Sequence, residues 1–160
     1  MGQVMSKIIA IAKAEEGLSL TAYWDEIGKV WTVGYGFSMQ AHGYDPSRCA
    51  GVTWTKTRAE AELAKEINTA AGVVAMKWPW AINLNEVRQS VLILMVFQLG
   101  GHGVEGFKSF LTALKAGDYE RAADEMLDSK WARQCHNRAN RMAKTMRTGK
   151  WLDEYNGVKV

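Results

Sequence analysis

Apolar residues recur at helical spacing at the start of the chain. The repeat covers residues 4–16 and stops at Gly17, a residue type that commonly ends a helix. This pattern predicts an amphipathic helix that ends at Glu16. Its apolar stripe consists of Met5, Ile8, Ile9 and Ala12.

A different pattern follows over residues 20–37, which are rich in aromatic and β-branched side chains. Such residues favour strands, and Gly28 supplies a turn among them. We therefore predict strands here, followed by a loop over residues 38–55, which contain glycine and proline. The strand-forming residues are Tyr23, Trp24, Val30, Trp31, Thr32, Val33 and Tyr35.

Helical periodicity returns over residues 56–77, a stretch that makes a helix about 33 Å long. Either Thr55 or Thr57 can cap its first turn. The proline of "WPW" at residues 78–80 ends it, because proline cannot continue a helix. The sequence thus predicts one long helix directly after the strand region.

The rest of the chain is predicted to be helical. Asn83 with Glu86 resembles a capping box, and the helix that follows is apolar on nearly all sides up to Leu99. Such a helix is expected at the centre of a lobe, with a break at "GGHG" (residues 100–103). Further helices are predicted at 105–116, 118–128, 130–135 and 137–147, with Asp118 and Asn137 as N-caps.

These elements predict an α+β fold in which the strands are segregated from the helices. The 160 residues suit a single domain, 1–160. We expect a small strand lobe at 17–55, a linking helix at 56–77, and a helical lobe at 78–160 that also includes the N-terminal helix.

Composition adds two features to this picture. Seven tryptophans are many for this length, and aromatics beyond the needs of a core often line a cleft. The net charge is only +3, but the segment from Lys130 to Leu152 holds seven basic residues and no acidic one. Such a segment is either a solvated helix face or a patch for a polyanionic partner.

The sequence gives no indication of a metal site or a cofactor site. Cys49 and Cys135 match no metal-ligand spacing and are expected to be free thiols in a reducing compartment. His42, His102 and His136 lack ligating neighbours at suitable spacing and are expected to be loop histidines. We therefore predict no metal and no cofactor.

Membrane insertion and export are not expected either. The longest uncharged apolar run, residues 91–97, is too short to span a bilayer. The N-terminal apolar stretch is interrupted by Lys13 and lacks the length of a signal or an anchor. We predict a chain without stable membrane insertion and without an export signal of its own.

Two carboxylates flank the switch from helix to strand. Glu16 lies at the negative end of the first helix, which favours the protonated carboxyl that a general acid needs. The same argument applies to Glu15, and either residue is alternatively an ordinary exposed glutamate. Asp25 in the strand region completes a pair suited to glycoside hydrolysis, or is a turn residue.

Three segments together resemble phage-type lysozymes, the glycoside hydrolases that include the lysozymes of T-even coliphages. They occur in the order and spacing of that family and cover nearly the whole chain. They are "EEGLSLTAYWDEIGKVWTVGYG" (15–36), "MVFQLGGHGVEGF" (95–107) and "SKWARQCHNRANRMAKTMRTGKW" (129–151). The resemblance implies a lysozyme-like fold with a glycan cleft between the two lobes.

The resemblance also implies roles for individual residues. Glu16 would be the general acid, chosen over Glu15 because it precedes the glycine of the motif. Asp25 would activate a water molecule that the Thr32 hydroxyl helps to hold. The remaining matches imply that Gly36 and Phe97 contact substrate, that Arg138 orients Glu16, and that Gln98 and Trp131 form a structural pair. From residue type alone, a core aromatic is the favoured role of Phe97, whereas Arg138 is equally well explained as an exposed helix arginine.

The chain departs from the family pattern at two places. Six residues separate Asp25 from Thr32, where the family usually has five. One extra residue reverses the face that later side chains take, unless a bulge or a longer turn at Gly28 absorbs it. Phe37 stands where the family often has histidine, so we expect a polar contact to be absent there.

The function implied by the resemblance is that of a muramidase acting on bacterial peptidoglycan. It would hydrolyse the β-1,4 bond between N-acetylmuramic acid and N-acetylglucosamine with inversion, as a monomer that does not bind nucleic acid. The biological role would be that of a bacteriophage endolysin, which accumulates in the host cytoplasm and reaches the periplasm and cell wall through a holin. The alternatives are a virion-borne or effector lysozyme, and a non-catalytic module that binds glycan or nucleic acid.

Overall fold

The computed structural model describes residues 2–158, so Met1, Lys159 and Val160 of the predicted domain lie outside the described residues. Within residues 2–158 the chain has the predicted α+β composition, with eight α-helices and one three-stranded antiparallel sheet. The helices are α1 Gly2–Glu16, α2 Lys56–Lys77, α3 Glu86–Glu105, α4 Lys108–Lys115, α5 Tyr119–Leu127, α6 Lys130–Gln134, α7 His136–Thr148 and α8 Asp153–Asn156. The strands are β1 Ser19–Asp25, β2 Val30–Gly34 and β3 Phe37–Ser38.

Helix α1 ends where the sequence predicts. Gly17 adopts the left-handed conformation with φ of 70°, and its N–H donates to the carbonyl of Lys13 at 3.0 Å. The face of α1 that is fully buried carries Ile8, Ile11 and Ala12. The helix is thus fixed against the core on one side, with Glu16 as its last residue.

The sheet register settles the effect of the extra residue in the hairpin. Asp25 pairs with Val30 and Tyr23 pairs with Thr32, so a four-residue turn, 26–29, joins β1 to β2. The turn is closed by Lys29, whose N–H donates to the carbonyl of Asp25 at 2.7 Å and whose φ is 54°. Because residues i and i+2 of a strand share a face, Thr32 lies on the same face as Asp25. The longer turn absorbs the insertion, and the faces are not reversed.

The strand lobe has its own aromatic core. Phe37 lies against Trp54, with ring centroids 4.8 Å apart, and stacks on His42 at 3.8 Å. His42 pairs in turn with Glu66 of α2, at 2.7 Å between Nε2 and Oε1. Phe37 itself brings no polar group, but the adjacent His42 supplies a polar contact to α2. The prediction that His42 is a loop histidine without ligating partners missed this contact.

Helix α2 begins at the predicted cap. The hydroxyl of Thr55 accepts from the N–H of Arg58 at 3.1 Å, so Thr55 rather than Thr57 is the N-cap. The helix runs to Lys77 and contacts α1, β2 and α3. It therefore touches both the sheet and the central helix of the helical region.

Helix α3 differs from the prediction at both ends. Its N-cap is Asn85, whose side chain accepts from the N–H of Arg88 at 2.9 Å, whereas Asn83 belongs to a short 3-10 turn, Pro79–Asn83. The predicted break at "GGHG" is confirmed at Gly100, which has a non-helical φ of 79° and ψ of 157°, but helical structure resumes after it and runs to Glu105. The capping box at Asn83 was wrong because Asn83 is the last residue of the turn that begins at Pro79, three residues beyond the predicted breaker at 78–80.

The predicted burial of the apolar helix is confirmed, since every residue from Val91 to Val96 is buried.

Among the described residues no single helix is long and apolar enough to cross a bilayer. Helices α3 and α4 together, bent by 106°, meet the same criteria of length and composition.

Of the two N-caps predicted for the later helices, one is confirmed and one is wrong. Asp118 caps α5 by accepting from the N–H of Arg121 at 3.1 Å, as expected. Helix α7 begins at His136 after Cys135, which gives no side-chain cap, so the predicted cap at Asn137 is wrong. Helix α8 was not predicted; it is only four residues long.

The corrected cap of α3 leads to a stability prediction. Replacing Asn85 with Ala removes the side-chain bond to the N–H of Arg88 and a second bond to the carbonyl of Gly149. We expect the free energy of unfolding, measured by urea denaturation, to fall by about 1–2 kcal/mol. Asn83→Ala is the matched control, and an equal loss in both variants would contradict the assignment of the cap.

Candidate active site

One cleft of about 830 Å³ collects the predicted site residues. Its lining draws on the end of α1, the β1–β2 hairpin, α3, α6 and the start of α7. A volume of this size lies within the range of clefts that bind ligands. All six residues singled out from the sequence line it: Glu16, Asp25, Thr32, Gly36, Phe97 and Arg138.

The carboxyl group of Glu16 is held from two sides. Arg138 of α7 donates from Nη1 to Oε1 at 2.8 Å. On the other side Gly36 approaches so closely that a Cβ atom built on it would lie 2.5 Å from Oε2. The φ of Gly36 is 70°, which also favours glycine. The side chain of Glu16 keeps 19% of its surface exposed, so it is fixed in position yet open to the cleft.

Glu15 lies at the centre of a separate polar network and is only 8% exposed. It accepts two bonds from Arg141, at 2.6 and 2.9 Å, one from Arg138 at 3.3 Å, and one from the Tyr155 hydroxyl at 2.7 Å. Burial by itself raises the pKa of Glu15, but these hydrogen bonds and the arginine charges outweigh it, so its pKa lies below the usual range. Glu15 is therefore a fixed anion that anchors α7, which is a poor state for a proton donor.

Asp25 is positioned by the turn that follows it. Its Oδ1 accepts from the N–H of Ile27 at 3.0 Å, and its main-chain carbonyl accepts from Lys29. A Cβ on Gly28 would lie 3.0 Å from Oδ2, so the glycine leaves room for the carboxylate. Asp25 is thus both a turn residue and a wall of the cleft, the two readings that the sequence left open.

Thr32 is buried, with only 4% exposure, and its Oγ1 lies 3.4 Å from the carbonyl oxygen of Val30. Its strand partner Tyr23 lies on the same face and is 43% exposed. Burial and the negative charges of Asp25 and Glu16 raise the pKa of Tyr23. Tyr23 therefore lines the same cleft as both carboxylates, a placement that the sequence did not predict.

The base of the cleft is built from α3 and α6. Phe97 is half-buried there, consistent with either of its expected roles. Gln98 donates to the sulfur of Cys135 at 3.5 Å, while the buried indole N–H of Trp131 has no hydrogen-bond partner within residues 2–158. The expected pair of Gln98 and Trp131 shares this wall without a hydrogen bond between the two. Cys135 and Cys49 are both free thiols.

The basic segment is less available than its sequence suggested. Arg138 and Arg141 are bound to Glu15, and Arg147 is bound to Glu120 and Asp124. For Lys130, Arg133, Lys144 and Lys150, no ion pair occurs within the described part of the chain. Three of the seven basic side chains therefore act inside the fold.

No metal site is formed by residues 2–158, because no three His, Cys, Asp or Glu side chains there meet in a suitable cluster. His136 lines the cleft, with its Nε2 at 3.0 Å from the amide nitrogen of Asn140.

Sequence reasoning missed three residues of this region, Tyr23, Tyr155 and Ile27, and a usable signal existed for only one of them. Tyr23 precedes Asp25 by two positions and so had to share its face. Glu15 and Tyr155 meet across 140 residues of chain, a contact that no local pattern encodes. Ile27 belongs to the turn, whose orientation depends on its length.

Comparison with known proteins gives a consistent result. A family model described as "Phage lysozyme" matches residues 13–147. The chain is 31% identical over 170 residues to the pre-baseplate central spike protein Gp5 of Enterobacteria phage T4, covering 92% of this chain and 28% of that protein. It is 32% identical over 98 residues to probable T4-type lysozyme 1 of Dictyostelium discoideum, covering 59% of this chain and 58% of that protein. Probable T4-type lysozyme 2 of the same organism is 37% identical over 73 residues, or 46% of this chain and 42% of that protein. The chain thus spans less than two thirds of each of these relatives.

The network around Glu15 leads to a prediction about acid stability. Because the pKa of Glu15 is lowered in the folded state, its contribution to stability is present above its ordinary value of 4.5 and is lost as the pH falls through the folded-state pKa. The free energy of unfolding should therefore fall more steeply below about pH 4.5 in the wild type than in Glu15→Gln. Parallel pH profiles in urea denaturation would contradict this account.

The close approach of Gly36 leads to a second prediction. Gly36→Ala should move the Glu16 carboxyl group, visible as a changed ¹³C chemical shift of its carboxyl carbon by NMR. Gly43→Ala is the matched control, since Gly43 has a φ of 87° and nothing within 4 Å of the added Cβ. Both variants should lose about 1 kcal/mol of stability from the left-handed backbone, and only Gly36→Ala should change the Glu16 signal.

Proposed function

This chain belongs to the phage lysozyme family, and we propose that it is a muramidase that cleaves bacterial peptidoglycan. The scissile bond would be the β-1,4 linkage between N-acetylmuramic acid and N-acetylglucosamine. The observation that carries the proposal is the presence of Glu16 and Asp25, from two different elements, in one cleft of about 830 Å³. Two carboxyl groups flanking a bound glycan are the usual apparatus of glycoside hydrolysis. No cofactor is required for this chemistry.

In the proposed reaction Glu16 donates a proton to the glycosidic oxygen as the bond breaks. Arg138 and Gly36 support this role, because they fix the carboxyl group in place. Arg138 also contacts the anionic Glu15, which balances part of its positive charge. Arg138 is accordingly a positioning residue, since it acts through Glu16.

Asp25 would act as the base that activates water on the other side of the sugar. Thr32 shares its face of the hairpin, in support of the proposal that its hydroxyl helps to hold that water. We propose inversion, as expected when water attacks directly. ¹H NMR of freshly cleaved product tests this step, because an inverting enzyme first releases the α-anomer from a β-linked glycan. Initial release of the β-anomer would contradict it.

Gly36 and Phe97 are proposed to contact the glycan, since both line the cleft beside these groups. We further propose that the protein acts as a monomer and does not bind nucleic acid. The internal ion pairs of Arg138, Arg141 and Arg147 support the proposal that it does not bind nucleic acid, because they reduce the basic surface open to a polyanion.

The biological role that we propose is host lysis by an endolysin. The protein would accumulate in the host cytoplasm and reach the periplasm and cell wall through a holin. A virion-borne lysozyme is a second candidate, favoured by similarity to a T4 spike protein over 92% of this chain. Mass spectrometry of purified virions separates the two roles. Peptides of this chain in the particle would support the virion-borne lysozyme, and their absence would support the endolysin.

The central assignment is tested by replacing Glu16 with Gln. Loss of the proton donor should lower the rate of turbidity loss of chloroform-treated Gram-negative cells by about a hundredfold or more. Glu60→Gln is a control, because Glu60 pairs with Lys13 and does not line the cleft. Undiminished lysis by Glu16→Gln would contradict the role of Glu16. Absence of lysis by the wild type, with glycan binding retained, would favour a non-catalytic binding module.

A further inference from the structure

The tip of the β1–β2 hairpin presents an exposed apolar side chain to the cleft. Ile27 is 66% exposed and lines the cleft together with Tyr23 and Val30. Tyr23 and Val30 lie on the face of the hairpin that carries Asp25, because Tyr23 is two residues from Asp25 and Val30 is its strand partner. We call Tyr23, Ile27 and Val30 the apolar lip.

The lip is held in one conformation by the turn beneath it. The N–H of Ile27 donates to Asp25 Oδ1 at 3.0 Å, and that of Lys29 donates to the Asp25 carbonyl at 2.7 Å. The Lys29 ammonium pairs with Glu26 at 2.9 Å. Behind the turn, Trp24 and Trp31 pack edge to face, with ring centroids 6.0 Å apart. The backbone that carries Ile27 is therefore ordered before any ligand binds.

The lip contrasts with the part of the cleft wall formed by α1 and α7, which carries the charged side chains of Glu16, Arg138 and Arg141. An apolar group at such a wall adds nothing to proton transfer, but it gains free energy when a ligand covers it. The glycan proposed as substrate carries methyl groups on its acetamido and lactyl substituents. These are apolar, and they project from an otherwise polar chain.

We propose that the apolar lip, and Ile27 in particular, binds the methyl groups of the peptidoglycan glycan and so contributes to substrate binding and selection. This inference rests on the proposed function, since it takes peptidoglycan as the ligand. Ile27 is a binding residue in this account and not a catalytic one. Its hydrogen bond to Asp25 comes from the main chain, so the side chain can be changed without removing that bond.

The experiment compares Ile27→Ser with Ile82→Ser. Ile82 is the matched control because it is 79% exposed and does not line the cleft. We expect kcat/KM on purified peptidoglycan to fall by about three- to tenfold in Ile27→Ser through a higher KM, with kcat and its pH profile unchanged. Ile82→Ser should match the wild type. Equal kinetics in the two variants, or a lower kcat with a shifted pH profile, would overturn the proposal.

Binding measured without turnover separates this inference from the proposed function. Sedimentation of Glu16→Gln with purified peptidoglycan sacculi should give a Kd about three- to tenfold lower than that of Glu16→Gln/Ile27→Ser. That result supports the lip even if the wild type cleaves nothing, whereas equal binding overturns the lip even if the wild type is active. The same pair with soluble N-acetylglucosamine oligomers identifies the methyl source: weaker binding there indicates the acetamido group, and an effect confined to sacculi indicates the lactyl group.

Discussion

The ionic contact between the end of α1 and the start of α7 is the interaction on which the rest of the site depends. Arg138 bridges Glu15 and Glu16, two neighbouring residues that lie in different environments. Glu15 is buried and remains ionised because Arg141 and Tyr155 also bind it, whereas Glu16 faces the cleft. Without the buried anion, Arg141 would lose its carboxylate partner on α1 and Arg138 would keep only Glu16. A polar anchor of this kind is costly to break, since each partner is left without compensation.

The β1–β2 hairpin accommodates an inserted residue. Because side chains alternate between the two faces of a strand, one inserted residue moves every later side chain of that strand to the opposite face. Here the insertion is taken up in the four-residue turn, so the pairing of Tyr23 with Thr32 is kept. The same turn uses Asp25 as a hydrogen-bond acceptor and brings Ile27 to the cleft. Length added at the turn thus changes the rim of the cleft and leaves its base unchanged.

Local chemistry explains which features the sequence could predict. The stop at Gly17, the cap at Thr55 and the buried apolar helix each depend on residues within a few positions of one another. The cap at Asn83 failed because a proline turn competed for the same residues. The break at Gly100 was predicted correctly, but the helical turn that follows it was not, since glycine signals an interruption without indicating whether the helix resumes.

For the site, the sequence could predict which residues take part but not the contacts that hold them. Motif resemblance named six residues that do line one cleft, although it could not supply the contacts that fix them. The anchoring of Glu15 by Arg141 and the pairing of His42 with Glu66 join segments far apart in the chain. Charge and polarity patterns along a sequence do not determine such pairings, because they depend on which helices become neighbours.

The positions of these residues along the chain also determine when the cleft can be complete during synthesis. Glu16 and Asp25 are synthesised early, but the arginine that orients Glu16 follows 122 residues later. A nascent chain on the ribosome therefore carries both carboxyl groups without the contact that aligns them. Closing so long a loop is slow compared with forming local helices. The cleft is consequently complete only when α7, which is made late, packs against α1, which is made first.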